Sequence, residues 1–85
     1  MNISRLKEIR EDRRITQREI AKLLHTTQQQ YSKYEIGIQM IPVEKLIILA
    51  DFYNTSIDYL LGRTDERNAY PKSILINKSK ILVQQ

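Results

Sequence analysis

The sequence predicts an all-helical domain of five short helices over residues 1–62, followed by a short tail over residues 63–85. Three observations lead there. Apolar residues return at helical spacing through the first 61 positions, helix-start signals recur at Thr16, Thr27, Pro42 and Ser56, and Gly37, Asn54 and Gly62 stand where helices should stop. A chain of 85 residues holds one small domain. A domain of this size buries only about 60–65% of its unfolded surface, so its core is adequate but not large.

The first helix runs from Ile3 to Asp12. Ile3, Leu6 and Ile9 make a one-sided stripe among charged residues, and Asn2 or Ser4 is placed to cap it. The second opens at Thr16-Gln17-Arg18-Glu19, a Thr-x-x-Glu capping box, and buries Ile20, Ala21 and Leu24, with Leu23 beside them. The third opens at Thr27, with Gln30 as the box partner. Tyr31 and Tyr34 lie on its apolar side, and it stops at Gly37, a natural left-handed terminator. Only His25 and Thr26 separate these two helices, which is the geometry of a helix-turn-helix rather than an antiparallel hairpin. The chain must reverse there, so His25 is expected at positive φ.

Pro42 opens the fourth helix at its first turn. Val43, Leu46, Ile47, Leu49, Ala50 and Tyr53 give it a wide apolar face, and Asn54 and Thr55 break it. Ser56 caps a fifth helix, Ile57 to Leu61, with Asp58 near its positive end and Gly62 closing it. Residues 63–71 read as a polar linker. Two apolar triplets come after it, Ile74-Leu75-Ile76 and Ile81-Leu82-Val83. They suit a β-hairpin, or a strand or helix lent to a partner; an isolated hairpin is marginal in water.

Net charge is +4, with 14 basic and 10 acidic residues. The excess of positive charge lies in the first 41 residues and in the tail, while residues 42–62 are net acidic. A basic face opposite an acidic one suits a polyanion partner, although an ordinary solvated surface gives the same count. No apolar run approaches the length of a membrane span, and Met-Asn-Ile-Ser-Arg is not the start of a secretory signal, so a cytoplasmic protein is expected. There is no cysteine and one histidine, hence no disulfide and no expected metal site. No glycine-rich phosphate loop and no His/Asp/Glu constellation is present, so neither an enzyme nor a cofactor is expected.

Five stretches then carry a resemblance: Arg5-Leu6-Lys7-Glu8-Ile9-Arg10, Ile15-Thr16-Gln17-Arg18-Glu19-Ile20-Ala21, Tyr34-Glu35-x-Gly37, Leu49-Ala50-Asp51 and Asp58-Tyr59-Leu60-Leu61-Gly62. In order and spacing, residues 3–62 resemble the helix-turn-helix family of phage repressors, Cro proteins and their bacterial regulator relatives. Thr26-Thr27-Gln28-Gln29 looks like the start of a lambdoid recognition helix. The resemblance implies a five-helix domain, usually dimeric on DNA, that represses or activates transcription; here a repressor that reads an operator is expected. The tail has no part in it.

In such a motif the second helix enters the major groove. Here that helix is 28–36. Gln28 and Gln29 occupy its first turn, and a glutamine amide matches the N7 and N6 groups of adenine. Lys33 and Ser32 come next on the same face as further base contacts. Gln17, at the start of the preceding helix, stands where a phosphate suits the free N–H groups, and the resemblance implies that it holds a phosphate and braces the first recognition glutamine. Arg18 is an auxiliary phosphate contact. The resemblance also implies a salt bridge between Arg10 and Glu35, with Arg10 touching phosphate as well. Tyr31 reads as core whose hydroxyl could reach a phosphate. One departure stands out. Where the family supplies cations after Gly37, this chain has Ile38-Gln39-Met40-Ile41, which lowers affinity for the DNA backbone or marks a protein contact. The alternative function is a protein-interaction module on the same fold, such as an antitoxin or anti-repressor partner.

Overall fold

The computed structural model describes residues 4–71. Asn2, Ile3 and the side chain of Ser4, and with them the reading of a cap for the first helix, lie outside this range. So do the triplets at 74–76 and 81–83. Five helices stand in order: α1 (Ser4–Asp12), α2 (Gln17–Leu23), α3 (Gln28–Ile36), α4 (Val43–Tyr53) and α5 (Ile57–Leu60). Every regular element among the described residues is helical, and no helix there is long and apolar enough to cross a membrane.

Side-chain oxygens start three of the helices. Thr16, Thr27 and Ser56 accept from the backbone N–H of Glu19, Gln30 and Tyr59 respectively, each satisfying a donor that the helix itself cannot. At Thr16 the capping box is complete, because Glu19 Oε1 accepts from the Thr16 backbone N–H at 2.8 Å. Pro42 is the residue before the first turn of α4 rather than within it.

All five helices stop the same way. Among the described residues, those at positive φ are Arg14, His25, Gly37, Asn54 and Gly62, one after each helix. After α2, the His25 N–H bonds to Lys22 O (3.1 Å) and the Thr26 N–H to Ala21 O (2.9 Å), the paired pattern of a Schellman turn. The same pair recurs after α1 (Arg14 to Glu11, Ile15 to Arg10), α3, α4 and α5. Only two of the five positions are glycine. A side chain in this conformation costs about 1 kcal/mol or more. His25→Gly, where φ is 56°, is therefore expected to raise stability by roughly 0.5–1 kcal/mol in chemical denaturation. An unchanged or lower midpoint would show that contacts of the histidine side chain offset its strain.

The core gathers one stripe from each helix. Leu6, Ile20, Leu24, Tyr31, Leu49, Tyr53 and Leu60 are fully enclosed, with α2 packed on α3, α1 against both α3 and α5, and α4 against α5. Of the six residues expected on the wide apolar face of α4, four are buried. Leu46, Leu49, Ala50 and Tyr53 are buried, whereas Val43 and Ile47 are 59% and 48% exposed. Five short helices have no further layer to cover that side.

Residues 63–71, expected to be a polar linker, are an arm fastened to the helices. Arg5 Nη1 donates to the carbonyls of Tyr59 and Thr64, and Arg5 Nη2 meets Asp65 at 2.8 Å. Thr55 Oγ1 donates to Arg67 O, Arg67 pairs with Asp12, and the Tyr70 hydroxyl donates to Asp58. The Tyr59 ring lies under the Arg5 and Arg67 guanidinium groups, 4.2 and 5.8 Å from its centroid.

Candidate nucleic-acid interface

The site begins with the cap of α3. Because Thr27 closes the first turn, Gln28 and Gln29 project from it, and both are exposed. Ser32 lies one turn later and is half-buried; Lys33 is exposed. Gln17, the first residue of α2, faces the same place. Together Gln17, Gln28, Gln29 and Ser32 line one shallow concavity of about 450 Å³. Arg18 is exposed beside it on α2. The amides and the hydroxyl can both donate and accept, so the surface is able to match base edges and phosphate oxygens.

Behind this surface lies a buried polar network. Arg10 Nε donates to Glu35 Oε2 at 2.6 Å, Nη2 donates to Oε1 at 3.2 Å, and Nη1 donates to Ile15 O at 2.8 Å. Gln17 Nε2 donates to the same Oε1 at 3.0 Å. One carboxylate on α3 thus ties down α1 and the start of α2. Burial alone would push the Glu35 carboxyl up. Hydrogen bonding from Arg10 and Gln17, the nearby Tyr31 hydroxyl and the Arg10 charge outweigh it, and its pKa is held below the usual value. For Arg10 the bond to Glu35 leads and raises its pKa, against the opposing effect of burial.

The geometry corrects several expectations. Tyr31 is fully buried; its hydroxyl is enclosed and finds no partner of hydrogen-bonding geometry, although the charge of Glu35 acts on it. It is core and cannot reach phosphate, and burial pushes its pKa far up. Arg10 is also buried, at 8% exposure, with its fork turned inward to Glu35 and Ile15 instead of outward to DNA. Gln30 does not complete a box with Thr27. Its amide bonds to Gln39, because the loop after Gly37 returns along α3, with the Ile38 and Gln39 N–H groups both on Lys33 O. Gln17 likewise braces Glu35 through its side chain rather than a recognition glutamine.

Two contributors were not legible in the sequence. Lys45 Nζ donates to Leu24 O at 2.7 Å, so α4 holds the end of α2 beside the left-handed His25. Arg13 Nη2 reaches Tyr53 O at 2.9 Å and ties the loop after α1 to the end of α4. Neither has a local signal, since the partners are 21 and 40 residues away. Among the described residues no group of three or more His, Cys, Asp or Glu could hold a metal ion.

A family model described as helix-turn-helix matches residues 6–60. The chain belongs to the helix-turn-helix family. Among its relatives are two named regulators of Bacillus subtilis. The HTH-type transcriptional regulator AnsR is 35% identical over 74 residues, spanning 87% of this chain and 64% of AnsR. The HTH-type transcriptional regulator ImmR is 37% identical over 75 residues, spanning 88% of this chain and 58% of ImmR. A crystal structure of a transcriptional regulator from Listeria innocua superposes with a TM-score of 0.69 at 25% identity, over 91% of this chain and 69% of that one. The chain therefore spans about three-fifths of the length of the curated relatives it matches. Within this helix-turn-helix domain, α2 and α3 are the two helices of the motif.

Proposed function

We propose that this chain is a sequence-specific duplex-DNA-binding transcriptional regulator, acting as a cytoplasmic homodimeric repressor. The observation that carries the reading is the outward display of Gln28 and Gln29 on a helix whose rear is locked to α1 and α2 by the Arg10–Glu35–Gln17 network. A rigid ridge with amides at its tip can enter a major groove and read adenine edges without the entropic cost of ordering itself first. Ser32 and Lys33 extend the base-reading face, while Gln17 and Arg18 lie where the flanking phosphates would pass. In support, the relatives AnsR and ImmR are named as transcriptional regulators.

Ile36, the last residue of α3, and Ile38 and Met40 in the loop after it are each more than 60% exposed. These apolar side chains suit contact between two copies, whose third helices would then enter successive major grooves about 34 Å apart. The loop brings no cation of its own to DNA.

Selection from random duplex DNA, followed by a salt titration on the winning sequence, tests the reading. The expected result is a two-fold-related pair of half-sites about 10 base pairs apart, with affinity falling steeply as salt rises. Equal affinity for selected and random duplexes, or no measurable binding to either, overturns it.

A further inference from the structure

Val43 and Ile47 leave an apolar strip on α4 that nothing in the described fold covers. Successive steps of three and four carry this strip on to Ala50 and Asn54 on the same side of the helix. There it runs into a cleft of about 730 Å³ walled by Ala50 and Asn54 of α4, Ile57 of α5, and Tyr70 and Pro71 of the arm. The end of the arm is therefore a wall of the cleft. It is held in place by the Arg5–Asp65, Thr55–Arg67 and Tyr70–Asp58 contacts. The residues beyond Pro71 start out at one end of the apolar strip.

Those residues match the surface in spacing and in charge. Ile74-Leu75-Ile76 begins three residues beyond Pro71. Three residues of extended chain span about 10 Å, and the seven-residue step from Asn54 back to Ile47 along a helix is also about 10 Å. Asp51 and Asp58 flank the cleft, and the first residue after Pro71 is Lys72. A short tether also confronts its own site at an effective concentration in the millimolar range, well above that of a second copy at ordinary protein concentrations.

We propose that the segment 72–83 docks in cis along the open face of α4, its first apolar triplet covering Ile47 and Val43 and Lys72 beside the acidic flanks of the cleft. The arm 63–71 is then the strap that aims the segment. The proposal stands whether or not the chain reads DNA.

The chain has no cysteine, so Ser79→Cys provides a single attachment point for a nitroxide on the 85-residue chain. Amide signals are then followed in three samples. With isotope and nitroxide on the same chain, Val43 and Ile47 are expected to lose most of their intensity and to regain it when the nitroxide is reduced. With isotope and nitroxide on separate, mixed chains, no loss is expected. With Ile47→Ser added to the doubly labelled chain, the loss at Val43 should disappear while the rest of the spectrum stays in place. Ile47 is half exposed, so this variant keeps the core. No loss in the first sample overturns the proposal. So does an equal loss in the mixed sample, which would place the segment on a second copy, or a loss at Val43 that persists in Ile47→Ser.

Discussion

Arg10→Met is expected to lower the melting temperature by more than about 10 °C, the consequence of losing on the order of 3–5 kcal/mol in a domain this small. The magnitude comes from burial. The side chains of Arg10 and Glu35 are 10% and 2% exposed, so removing the guanidinium leaves a carboxylate in the interior with no cation to balance it, beside Gln17 and the Tyr31 hydroxyl. Methionine fills much of the space, so the loss comes chiefly from the missing charge and little from a cavity. Arg10→Met combined with Glu35→Leu should recover most of the loss, because no unpaired charge then remains buried. A single variant that melts with the parent would show that the network contributes nothing to the fold.

Acid provides a second reading of the same pair. The folded state holds the Glu35 carboxyl below its ordinary value, so its contribution is fully present above the unfolded pKa, near 4.3–4.5. That contribution is lost as pH falls through the lower folded value. In Arg10→Met the sign reverses. Burial without the guanidinium raises the Glu35 pKa, and acid relieves the variant by neutralising the carboxylate. The stability gap between parent and variant should therefore be widest near neutral pH and narrow below about pH 4.5. A gap independent of pH would assign the loss to packing.

Gln28→Ala is expected to weaken binding to the selected operator by roughly 10- to 100-fold, the equivalent of about 1–3 kcal/mol for one bidentate base contact. Binding to random duplex should change little, so discrimination falls rather than general affinity. The melting temperature should stay with that of the parent, since Gln28 is exposed and outside the buried network. This separates the two variants. Arg10→Met damages the platform and with it all DNA binding, whereas Gln28→Ala damages only the reading of bases. A uniform loss on selected and random DNA would make Gln28 a backbone contact, and no loss would remove it from the interface.

How far such residues could be read in advance depended on the range of their contacts. The Thr16–Glu19 box is complete within four residues, and its sequence signal and its structure agree. Thr27 caps α3 as expected, but Gln30 finds Gln39 because a distant loop folds back beside it. The left-handed stop at His25 was legible from the crowding of two start signals. The one at Arg14 was not, since an arginine carries no preference for that conformation and only the route from α1 to α2 demands it. The pairing of Arg10 with Glu35 was available through resemblance alone. Nothing local links residues 25 positions apart.

The amino-acid order alone determined where helices begin and end, which side of most of them is apolar, and which amides head the third helix. Those are properties of one or two turns, governed by hydrogen bonds and periodicity inside a short window. Only the packed structure decided that Arg10 and Tyr31 turn inward, that Val43 and Ile47 on the apolar face of α4 stay open, and that residues 63–71 are an arm. Each of these outcomes depends on which surfaces meet across the chain, and that is settled by burial and the pairing of charges between helices far apart in sequence.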